Sequence, residues 1–504
     1  MYMVSKVVSA IPLGYDGVRV EIEGDVNRGL PGLQIVGMGN KTIEESKERI
    51  KSAINNSLLE FPNKRITINL APAELQKDGA YLDLPIALSV LVLSEQLRQK
   101  DVDGKLFVGE LALDGSIRPV RGIINIVEIA KHSGIDMAFV PVDNQSQAEL
   151  VSGITIIGIS SLKELFMHLR NGTEISKSEK SCPKTTRNSS SDLVLMDHIR
   201  GQAQAKRAIM IAIAGRHNIL ISGPPGAGKT MLAKAATNLL PDMSAEEKVS
   251  ITKIHSIAGN SNDIVYRRPF RSPHHTASMA SIVGGGNKPK PGEISLAHYG
   301  VLFLDELPEY PRSVLESLRQ PLEDKIVTVS RTNYKATYPA DFMMIATMNP
   351  CPCGFLGDAE KECTCSAIQI LNYQKKLSGP LLDRIDIVLP VSKVSNDDLL
   401  KQSVTSNAEH LEARKSIETA RKSQFLRYKS DSKYNSSLSS NEVSRVLKIT
   451  EAAQKLLSSA SDKLNLSARA YFKMIKVART IADIDGDGIV DAKHISEALQ
   501  YRKR

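Results

Sequence analysis

Cysteine is scarce in this chain, and no hydrophobic run is long enough to cross a membrane. Four of the five cysteines lie between positions 351 and 365, which is not the dispersed pattern of a secreted disulfide scaffold. The longest apolar run, residues 84–93, is about half of a bilayer span, and the N-terminal residues lack a signal-peptide pattern. We therefore expect a cytoplasmic protein with no membrane partner.

The composition is that of ordinary folded domains with an excess of positive charge. Hydrophobic residues make up 42% of the 504 residues and charged residues 24%, which excludes a largely disordered protein. The length suggests roughly two to four domains. The formal net charge of +9 favours an anionic partner. Because solvated surface lysines produce the same balance, charge alone does not distinguish nucleic acid binding from a basic surface.

A segment rich in Ser, Lys and Asn divides the chain. Residues 171–191 have no apolar periodicity, which is typical of a linker. Before it, a strand pattern at 65–70 alternates with helix patterns at 42–55 and 84–97, so we expect an α+β domain. The predicted units are this domain over 1–170, the linker over 171–191, a nucleotide-binding α/β core over 192–394 and a helical region over 395–504.

The most specific motif is a phosphate-binding loop. The segment GPPGAGKT at 223–230 follows an apolar run at 218–222 and precedes a helix-favouring stretch at 231–240. In such a loop backbone N–H groups surround the phosphates, Lys229 contacts the β and γ oxygens, and the Thr230 hydroxyl binds Mg²⁺. The predicted ATP-binding residues are Gly223, Pro224, Pro225, Gly226, Ala227, Gly228, Lys229, Thr230 and Met231.

A second nucleotide motif ends in two acids. The apolar residues 301–304 suit a buried parallel strand, and Asp305 and Glu306 follow at the end where ligands bind in α/β sheets. We expect Asp305 to hold Mg²⁺ together with Thr230, and Glu306 to polarise the attacking water. An acid pair after a strand is otherwise an ordinary exposed turn, but the upstream phosphate loop favours a Walker B motif.

Three downstream polar residues complete the predicted catalytic set of Lys229, Glu306, Asn349, Arg384 and Arg469. Asn349 ends another apolar strand, where its amide reaches the water beside the γ-phosphate, as a sensor 1 residue does. Arg384 lies between a predicted helix end and a strand, where one subunit offers it to its neighbour's ATP. Arg469 resembles a sensor 2 arginine. Singly, each arginine suits an ion pair; their order after both Walker motifs favours catalysis.

Several longer segments resemble those of a known family. They are residues 197–202, 268–278, 284–295, 348–354 and 377–386. Together with the motifs above, they make the chain similar to the ComM/YifB family of magnesium-chelatase-like AAA+ ATPases over nearly its whole length. The resemblance implies an AAA+ core with a helical lid, working as a hexameric ring that binds DNA. It further implies helicase action and branch migration in homologous recombination and natural transformation.

The N-terminal domain resembles the proteolytic domain of Lon, with its ribosomal S5-like fold, and that of the DNA-repair motor RadA. The resemblance rests on residues 77–85 and 109–122. A working Lon-type protease has a Ser nucleophile and a Lys base in these motifs, where this chain has Tyr81 and Ile124. Because these residues form no Ser-Lys dyad, we expect no proteolysis, and a scaffold or DNA-binding role stays open.

Two segments of the core are candidates for DNA contacts, because relatives in this clade carry insertions that point into the ring channel. Residues 282–293 contain Lys288 and Lys290, and residues 327–338 have the pattern of a hairpin with Arg331 and Lys335 near its tip. Such side chains bind phosphates without sequence specificity, as a translocating motor requires. The alternative is a solvated hairpin with surface charge.

The clustered cysteines are the predicted zinc site. Two Cys-x-Cys pairs lie in one short loop between Asn349 and Arg384: Cys351, Cys353, Cys363 and Cys365. Four thiolates bind Zn²⁺ tetrahedrally, and the ion would brace a loop that lacks a core. The spacing departs from the usual Cys-x-x-Cys knuckle, so redox-inert, clustered thiols are the alternative.

An acidic segment at 483–494 resembles the first half of a calcium-binding EF-hand loop. Acids stand at loop positions 1, 3, 5 and 9 and glycine at position 6, but position 12 is His494, where a bidentate Glu is expected. We therefore interpret the segment as an acidic turn between two C-terminal helices.

The sequence thus predicts an α/β protein in which an inactive Lon-like domain precedes an ATP-driven DNA motor. Its expected cofactors are ATP and Mg²⁺, with structural Zn²⁺ as a further candidate. Its expected partners are single-stranded or branched DNA and other copies of the chain. The alternative is a magnesium-chelatase-like or chaperone-like protein remodeller, because the magnesium chelatase motor subunit shares this core and acts on proteins.

Overall fold

The computed structural model describes residues 4–37, 41–74, 77, 80–172, 175, 194–259, 263–286, 290–331, 334–358, 360–394 and 407–502. Most of the predicted linker at 171–191 lies outside the described residues. Within the described ranges, no helix is both long and apolar enough to span a bilayer.

The N-terminal unit is built on a mixed sheet. Its strands are β1 (Ser5–Leu13), β2 (Asp16–Asn27), β3 (Gly32–Val36), β4 (Arg65–Ala71), β5 (Lys105–Phe107), β6 (Glu110–Leu111), β7 (Ile117–Arg118), β8 (Met137–Pro141) and β9 (Thr155–Ile159). Seven of them pair in the order β3-β4-β2-β1-β5-β8-β9, and β6 and β7 form a separate hairpin. β2 pairs antiparallel with both β1 and β4. On the other side of β1, strands β5, β8 and β9 extend the sheet through parallel pairs.

Burial patterns explain these elements. In β4, Ile66, Ile68 and Leu70 are buried while their neighbours are not, as expected for a strand with one face on the core. The helices are α1 (Lys41–Asn56), α2 (Asp83–Leu93), α3 (Gln99–Val102), α4 (Ile123–His132), α5 (Gln145–Ala148) and α6 (Leu162–Asn171). α1 contains the predicted helix at 42–55. α2 is buried on every side and ends at Leu93 rather than at the predicted residue 97.

The second unit contains a parallel sheet. Its strands are β10 (Ile219–Ser222), β11 (Phe270–Arg271), β12 (Gly284–Gly285), β13 (Lys290–Pro291), β14 (Val301–Leu304), β15 (Ile326–Arg331), β16 (Tyr334–Pro339), β17 (Met343–Met348) and β18 (Ile387–Pro390). The main sheet has the order β11-β14-β17-β10-β18, with every pair parallel. The carboxyl ends of these strands therefore meet at one edge, and their amino ends at the other. β12 pairs with β13, and β15 with β16, as antiparallel hairpins.

Helices cover this sheet and form the C-terminal region. Those of the core are α7 (Ala203–Gly215), α8 (Lys229–Asn238), α9 (Ala245–Ala258), α10 (Met279–Val283), α11 (Glu293–Leu296), α12 (Arg312–Ser317), α13 (Arg319–Asp324), α14 (Ala367–Lys375) and α15 (Gly379–Leu382). The C-terminal helices are α16 (Ala408–Tyr428), α17 (Ser440–Val446), α18 (Glu451–Leu464), α19 (Ala468–Asp485) and α20 (Ala492–Gln500). Ile417 and Ile481 are buried in one apolar cluster with Ile209 and Leu232, so the C-terminal helices share a core with α7 and α8.

The N-terminal unit contacts the parallel-sheet unit through α4 and α9. Lys253 Nζ lies 2.5 Å from Glu128 Oε2 and 4.1 Å from the centre of the Tyr15 ring. The N–H of Gly122 donates to Ser256 Oγ at 2.9 Å. These contacts hold the first unit against α9, so the two units are joined by packed side chains as well as by the chain itself.

Candidate nucleotide site

The phosphate loop joins the carboxyl end of β10 to the start of α8. Gly226 and Gly228 have φ angles of +80° and +77°, a conformation that residues with a Cβ rarely adopt. At Gly223, an added Cβ would lie 2.3 Å from the carbonyl oxygen of Val391, so the loop approaches the end of β18 too closely for a side chain. The N–H groups at the start of α8 suit this loop to phosphate binding.

Lys229 lies inside the loop. Its Nζ donates to the carbonyl oxygen of Gly223 at 2.5 Å and to Asn349 Oδ1 at 3.0 Å. Burial lowers the pKa of Lys229, and the negative charges of Asp305 and Glu306 oppose that shift. Because the present partners are neutral oxygens, an anionic phosphate would bind this ammonium more strongly.

Two oxygen donors stand beside the loop where Mg²⁺ is expected. Thr230 Oγ1 lies 3.4 Å from Asp305 Oδ2, and Asp305 Oδ1 accepts a hydrogen bond from Thr347 Oγ1. A hydroxyl and a carboxylate are hard oxygen ligands, which Mg²⁺ prefers. The residues present therefore fit the ion.

Glu306 is held in an uncommon backbone conformation. Its φ angle is +52°, and its N–H donates to Thr347 Oγ1 at 3.0 Å. A non-glycine residue kept in this region points to a functional constraint. Thr347 thus contacts both acids, yet sequence reasoning missed it. A threonine within an apolar strand carries no motif, and only the pairing of β17 with β14 brings it to them.

A cavity beside the loop was also not anticipated. It measures about 390 Å³, and its walls include Ile199, Gln202, Met231, Lys393 and Val394. Gln202 Nε2 donates to the carbonyl oxygens of Ala227 at 2.8 Å and Ser392 at 3.2 Å, which ties the cavity to the phosphate loop. A mixed apolar and polar cavity next to a phosphate site suits a nucleotide base. Two signals were available in the sequence: the segment at 197–202, singled out by resemblance, and Met231 at the end of the predicted ATP-binding set.

Arg384 and Arg469 lie at the opposite edge of the parallel sheet. The carbonyl oxygen of Arg384 accepts from Nδ2 of Asn218, the residue before β10, at 2.9 Å. A four-residue strand, about 13 Å long, separates this edge from the phosphate loop. Glu323 bonds to both arginines, with Oε1 2.7 Å from Arg469 Nη2. The structure therefore brings the two arginines to each other and not to the protomer's own phosphate loop.

A buried ion pair adjoins these arginines. The guanidinium carbon of Arg216 lies 5.6 Å from the centre of the Tyr299 ring and 5.1 Å from that of Tyr434. Its Nη1 lies 3.6 Å from Asp341 Oδ2. Burial alone would raise the pKa of Asp341, but the charges of Arg216 and Lys325 outweigh it and hold that pKa below its usual value. Arg216, Lys325, Asp341 and Tyr434 line part of a 520 Å³ cavity.

The four clustered cysteines converge. Cys351 Sγ is 3.3 Å from Cys353 Sγ and 3.6 Å from Cys363 Sγ, and the sulfurs of Cys353 and Cys363 are 3.6 Å apart. All four sulfurs, including that of Cys365, lie within 4.8 Å of one another. Tetrahedral Zn²⁺ with bonds of about 2.3 Å requires S···S distances of about 3.8 Å. The donor set and its spacing therefore fit zinc.

The candidate DNA segments form two neighbouring hairpins. The hairpin predicted at 327–338 is confirmed as β15 and β16, and the glycine-rich segment forms β12 and β13. A Cβ on Gly284 would lie 3.3 Å from Val329 Cγ2, so the hairpins are in contact. Lys290 and Lys335 are exposed. Lys288 and the side chain of Arg331 lie outside the described part of the structure.

The acidic C-terminal turn does not offer a good metal ligand. Asp485, Asp487 and His494 converge, with His494 Nε2 3.1 Å from Asp487 Oδ2. His494 Nδ1, however, accepts the N–H of Asp491 at 2.9 Å. The neutral ring therefore carries its proton on Nε2, the atom that faces the acids, and acts there as a hydrogen-bond donor.

The positions that correspond to a Ser-Lys dyad belong to the N-terminal packing. Ile124 is fully buried in α4, and Tyr81 lies in the turn that precedes α2, partly buried against the apolar core. The alkyl side chain of Ile124, at the position of the Lys base, has no lone pair to accept a proton.

Comparison with known proteins gives matches along the chain. Residues 195–399 match the family described as magnesium chelatase, subunit ChlI; residues 22–144 match subunit ChlI of Mg-chelatase; residues 408–502 match its C-terminal part. The magnesium-chelatase 67 kDa subunit of Chlorobaculum tepidum is 25% identical over 217 residues, which cover 42% of this chain and 29% of that protein.

Two relatives match almost throughout. YifB of Escherichia coli is 41% identical over 495 residues, covering 97% of this chain and 95% of its own length. Competence protein ComM of Haemophilus influenzae is 40% identical over 500 residues, covering 98% and 97%. The expected fold class is confirmed: a Lon-like α+β domain, an AAA+ P-loop core and a helical C-terminal region. The chain belongs to the ComM/YifB family of magnesium-chelatase-like AAA+ proteins.

Proposed function

We propose that the protein hydrolyses ATP. The observation that carries this proposal is the convergence of Lys229, Asn349, Asp305 and Glu306 at the carboxyl edge of the parallel sheet. Lys229 binds the β and γ oxygens, while Glu306 and Asn349 orient the attacking water. Bound Mg²⁺ neutralises charge on the phosphates, and Thr230 and Asp305 are the residues that would hold it.

The protein is further proposed to act as a hexameric ring. Arg384 and Arg469 lie about one strand length from the protomer's own phosphate loop, at the other edge of the sheet. From there they serve the ATP of a neighbouring subunit, where a guanidinium stabilises charge on the transferring phosphoryl group. The glutamate that now binds both would be exchanged for phosphate.

The work of this ATPase is proposed to be done on DNA in the cytoplasm. A helicase or branch-migration motor in homologous recombination and natural transformation is supported by similarity to a competence protein and by the net charge of +9. Lys290 and Lys335, exposed on adjacent hairpins, supply cations for sequence-independent phosphate contacts.

A second candidate function is remodelling of a protein partner. The family matches to magnesium chelatase over three segments, and the similarity to its 67 kDa subunit, favour this reading. In that case the exposed hairpin lysines are ordinary surface charges, and hydrolysis is indifferent to DNA.

Steady-state ATP hydrolysis with and without single-stranded and four-way-junction DNA separates the two. We expect stimulation by DNA that weakens steeply with salt, and negligible hydrolysis by Glu306→Gln under all conditions. A Lys290→Ala/Lys335→Ala variant should lose most of the stimulation and keep basal hydrolysis. Lys455→Ala, which removes an exposed lysine from α18, is the matched control. A rate of ATP hydrolysis that neither DNA changes would favour the remodelling function.

A further inference from the structure

The four-cysteine loop contacts the nucleotide site. It begins just after Asn349, whose Oδ1 accepts a hydrogen bond from Lys229 at 3.0 Å. Its turn at Gly354 abuts the phosphate loop so closely that an added Cβ would lie 2.7 Å from Pro225 Cδ. Farther along, Glu360 lines the cavity that suits the base. The conformation of this loop therefore shapes both the phosphate and the base subsites.

A lysine ties the same loop to the sheet. Lys393 Nζ lies 2.8 Å from Asp358 Oδ2 and 3.2 Å from Glu360 Oε2. Lys393 follows Val391, whose carbonyl oxygen packs against Gly223 of the phosphate loop. Cysteine loop, phosphate loop and the end of β18 are thus one packed unit, and a displacement of the first is transmitted to the others.

Apolar packing does not hold the cysteine loop in place. Between β17 and α14 its described residues form neither helix nor strand. Cys351 is buried, but Leu356 is 38% exposed and Phe355 is only partly buried. A loop of this kind has little burial to offset its conformational entropy, and a metal cross-link among four thiolates supplies what is missing.

We propose that Zn²⁺ bound by Cys351, Cys353, Cys363 and Cys365 positions the nucleotide site by fixing Gly354 against Pro225, so that nucleotide affinity depends on zinc occupancy. The inference rests on the proposed nucleotide site. In this proposal the ion acts on the nucleotide site through the conformation of the loop. By linkage, bound nucleotide raises zinc affinity by the same factor as zinc raises nucleotide affinity.

The test measures binding rather than turnover, on the full-length chain. Zinc content is determined by elemental analysis, and the Kd of a fluorescent, non-hydrolysable ATP analogue is measured in excess Mg²⁺ before and after treatment with a zinc-selective chelator. We expect one zinc per chain and about tenfold weaker analogue binding after its removal, restored by added zinc. Cys363→Ser should reproduce the loss, whereas Cys182→Ser, which removes the cysteine outside the cluster, should not.

Two glycines of the loop separate zinc binding from its consequence. Gly354 and Gly357 have similar φ angles, +86° and +78°, but only a Cβ at Gly354 meets another residue. Gly354→Ala should therefore retain zinc and weaken analogue binding about tenfold, while Gly357→Ala, with comparable backbone strain, should retain both. If Cys363→Ser does not fold, the comparison of Gly354→Ala with Gly357→Ala still tests the proposal.

The outcomes are distinguishable. Equal analogue affinity with and without zinc, equal affinities of the two glycine variants, or failure of the chain to take up zinc each overturn the inference and leave the proposed ATPase intact. Failure of every form to bind the analogue overturns the proposed nucleotide site and this inference with it.

Discussion

The charged side chains at the two edges of the parallel sheet have different kinds of hydrogen-bond partner. At the carboxyl edge, Lys229 and Asp305 hydrogen-bond to neutral oxygens. At the amino edge, Arg384 and Arg469 share the carboxylate of Glu323. Charges without an ionic partner gain most from a charged ligand, whereas paired charges need a competing anion before they can act. This difference agrees with the proposed function, in which the first edge binds phosphate and metal and the second contacts a neighbouring subunit.

The largest expected effect on ATP hydrolysis comes from removing an arginine at the amino edge. Arg384→Ala should lower kcat for ATP hydrolysis about 10³-fold, because a trans arginine of this kind contributes about 10³ or more. The nucleotide affinity of the protomer should not change, since the residue is remote from its own phosphate loop. Steady-state kinetics and analogue titration measure the two quantities. Arg414→Ala, which removes a half-exposed surface arginine from α16, is the control.

Mixing inactive variants sharpens the comparison between the edges. If the protein forms the proposed ring, a ring that contains both Arg384→Ala and Glu306→Gln subunits has some interfaces that combine an intact Glu306 with an intact Arg384. The mixture should therefore hydrolyse ATP faster than the sum of its parts. Purely additive rates would show that both residues act within one subunit.

Breaking the carboxyl edge should leave binding intact and stop the chemistry. Glu306→Gln keeps the shape of the side chain and removes the charge that polarises water, so kcat should fall at least about 10²-fold. Analogue affinity should stay within about twofold. Glu309→Gln, on an exposed acid paired with Lys376, is the matched control and should retain activity. Loss of analogue binding by Glu306→Gln would contradict the assigned role.

A stability measurement tests how firmly the amino edge is built. Asp341→Asn leaves Arg216 buried without its carboxylate, and we expect the free energy of unfolding to fall by about 3 kcal/mol. Glu316→Gln, in a partly exposed pair with Arg319, should change it by less than about 0.5 kcal/mol. Chemical denaturation measures both; similar losses would contradict a buried, structural role for the Asp341 pair.

The smallest expected effect is a pH dependence at the same edge. His298 is buried, and its Nδ1 accepts the N–H of Asp341 at 3.0 Å. Burial lowers the pKa of His298 from 6.5 to about 3. Below pH 6.5 the unfolded chain thus binds a proton that the folded protein does not, so stability falls, by about 2 kcal/mol at pH 5.

Replacing this histidine isolates its contribution. In His298→Asn the amide oxygen accepts the same N–H without titrating, so the loss of stability between pH 7 and pH 5 should shrink. Denaturation curves at the two pH values measure the change. An unchanged pH dependence would assign the effect to other groups.

Local motifs were readable from the sequence because their chemistry is contiguous. The phosphate loop, with glycines where φ is positive, and the acids that follow β14 each occupy a few consecutive residues. Their contacts were not readable, because they join distant segments. Thr347 meets Asp305 across two paired strands, and Gln202 meets Ala227 across α7 and β10. Glu323, which had no motif at all, became visible only through the arginines it binds.

The sequence by itself determined the class of the protein, the order of its parts and the residue types available to ATP, Mg²⁺ and zinc, because these depend on spacing along the chain. The tertiary structure decided which of those residues meet. Residues that follow parallel strands lie together at the carboxyl edge of the sheet. Residues that precede those strands lie at the opposite edge, about 13 Å away across the four residues of β10. This packing brings Asn349 within hydrogen-bonding distance of Lys229, Arg384 close to Arg469, and the cysteine loop into contact with the phosphate loop. The sequence could not predict these contacts, because they depend on the close packing of segments that are remote along the chain.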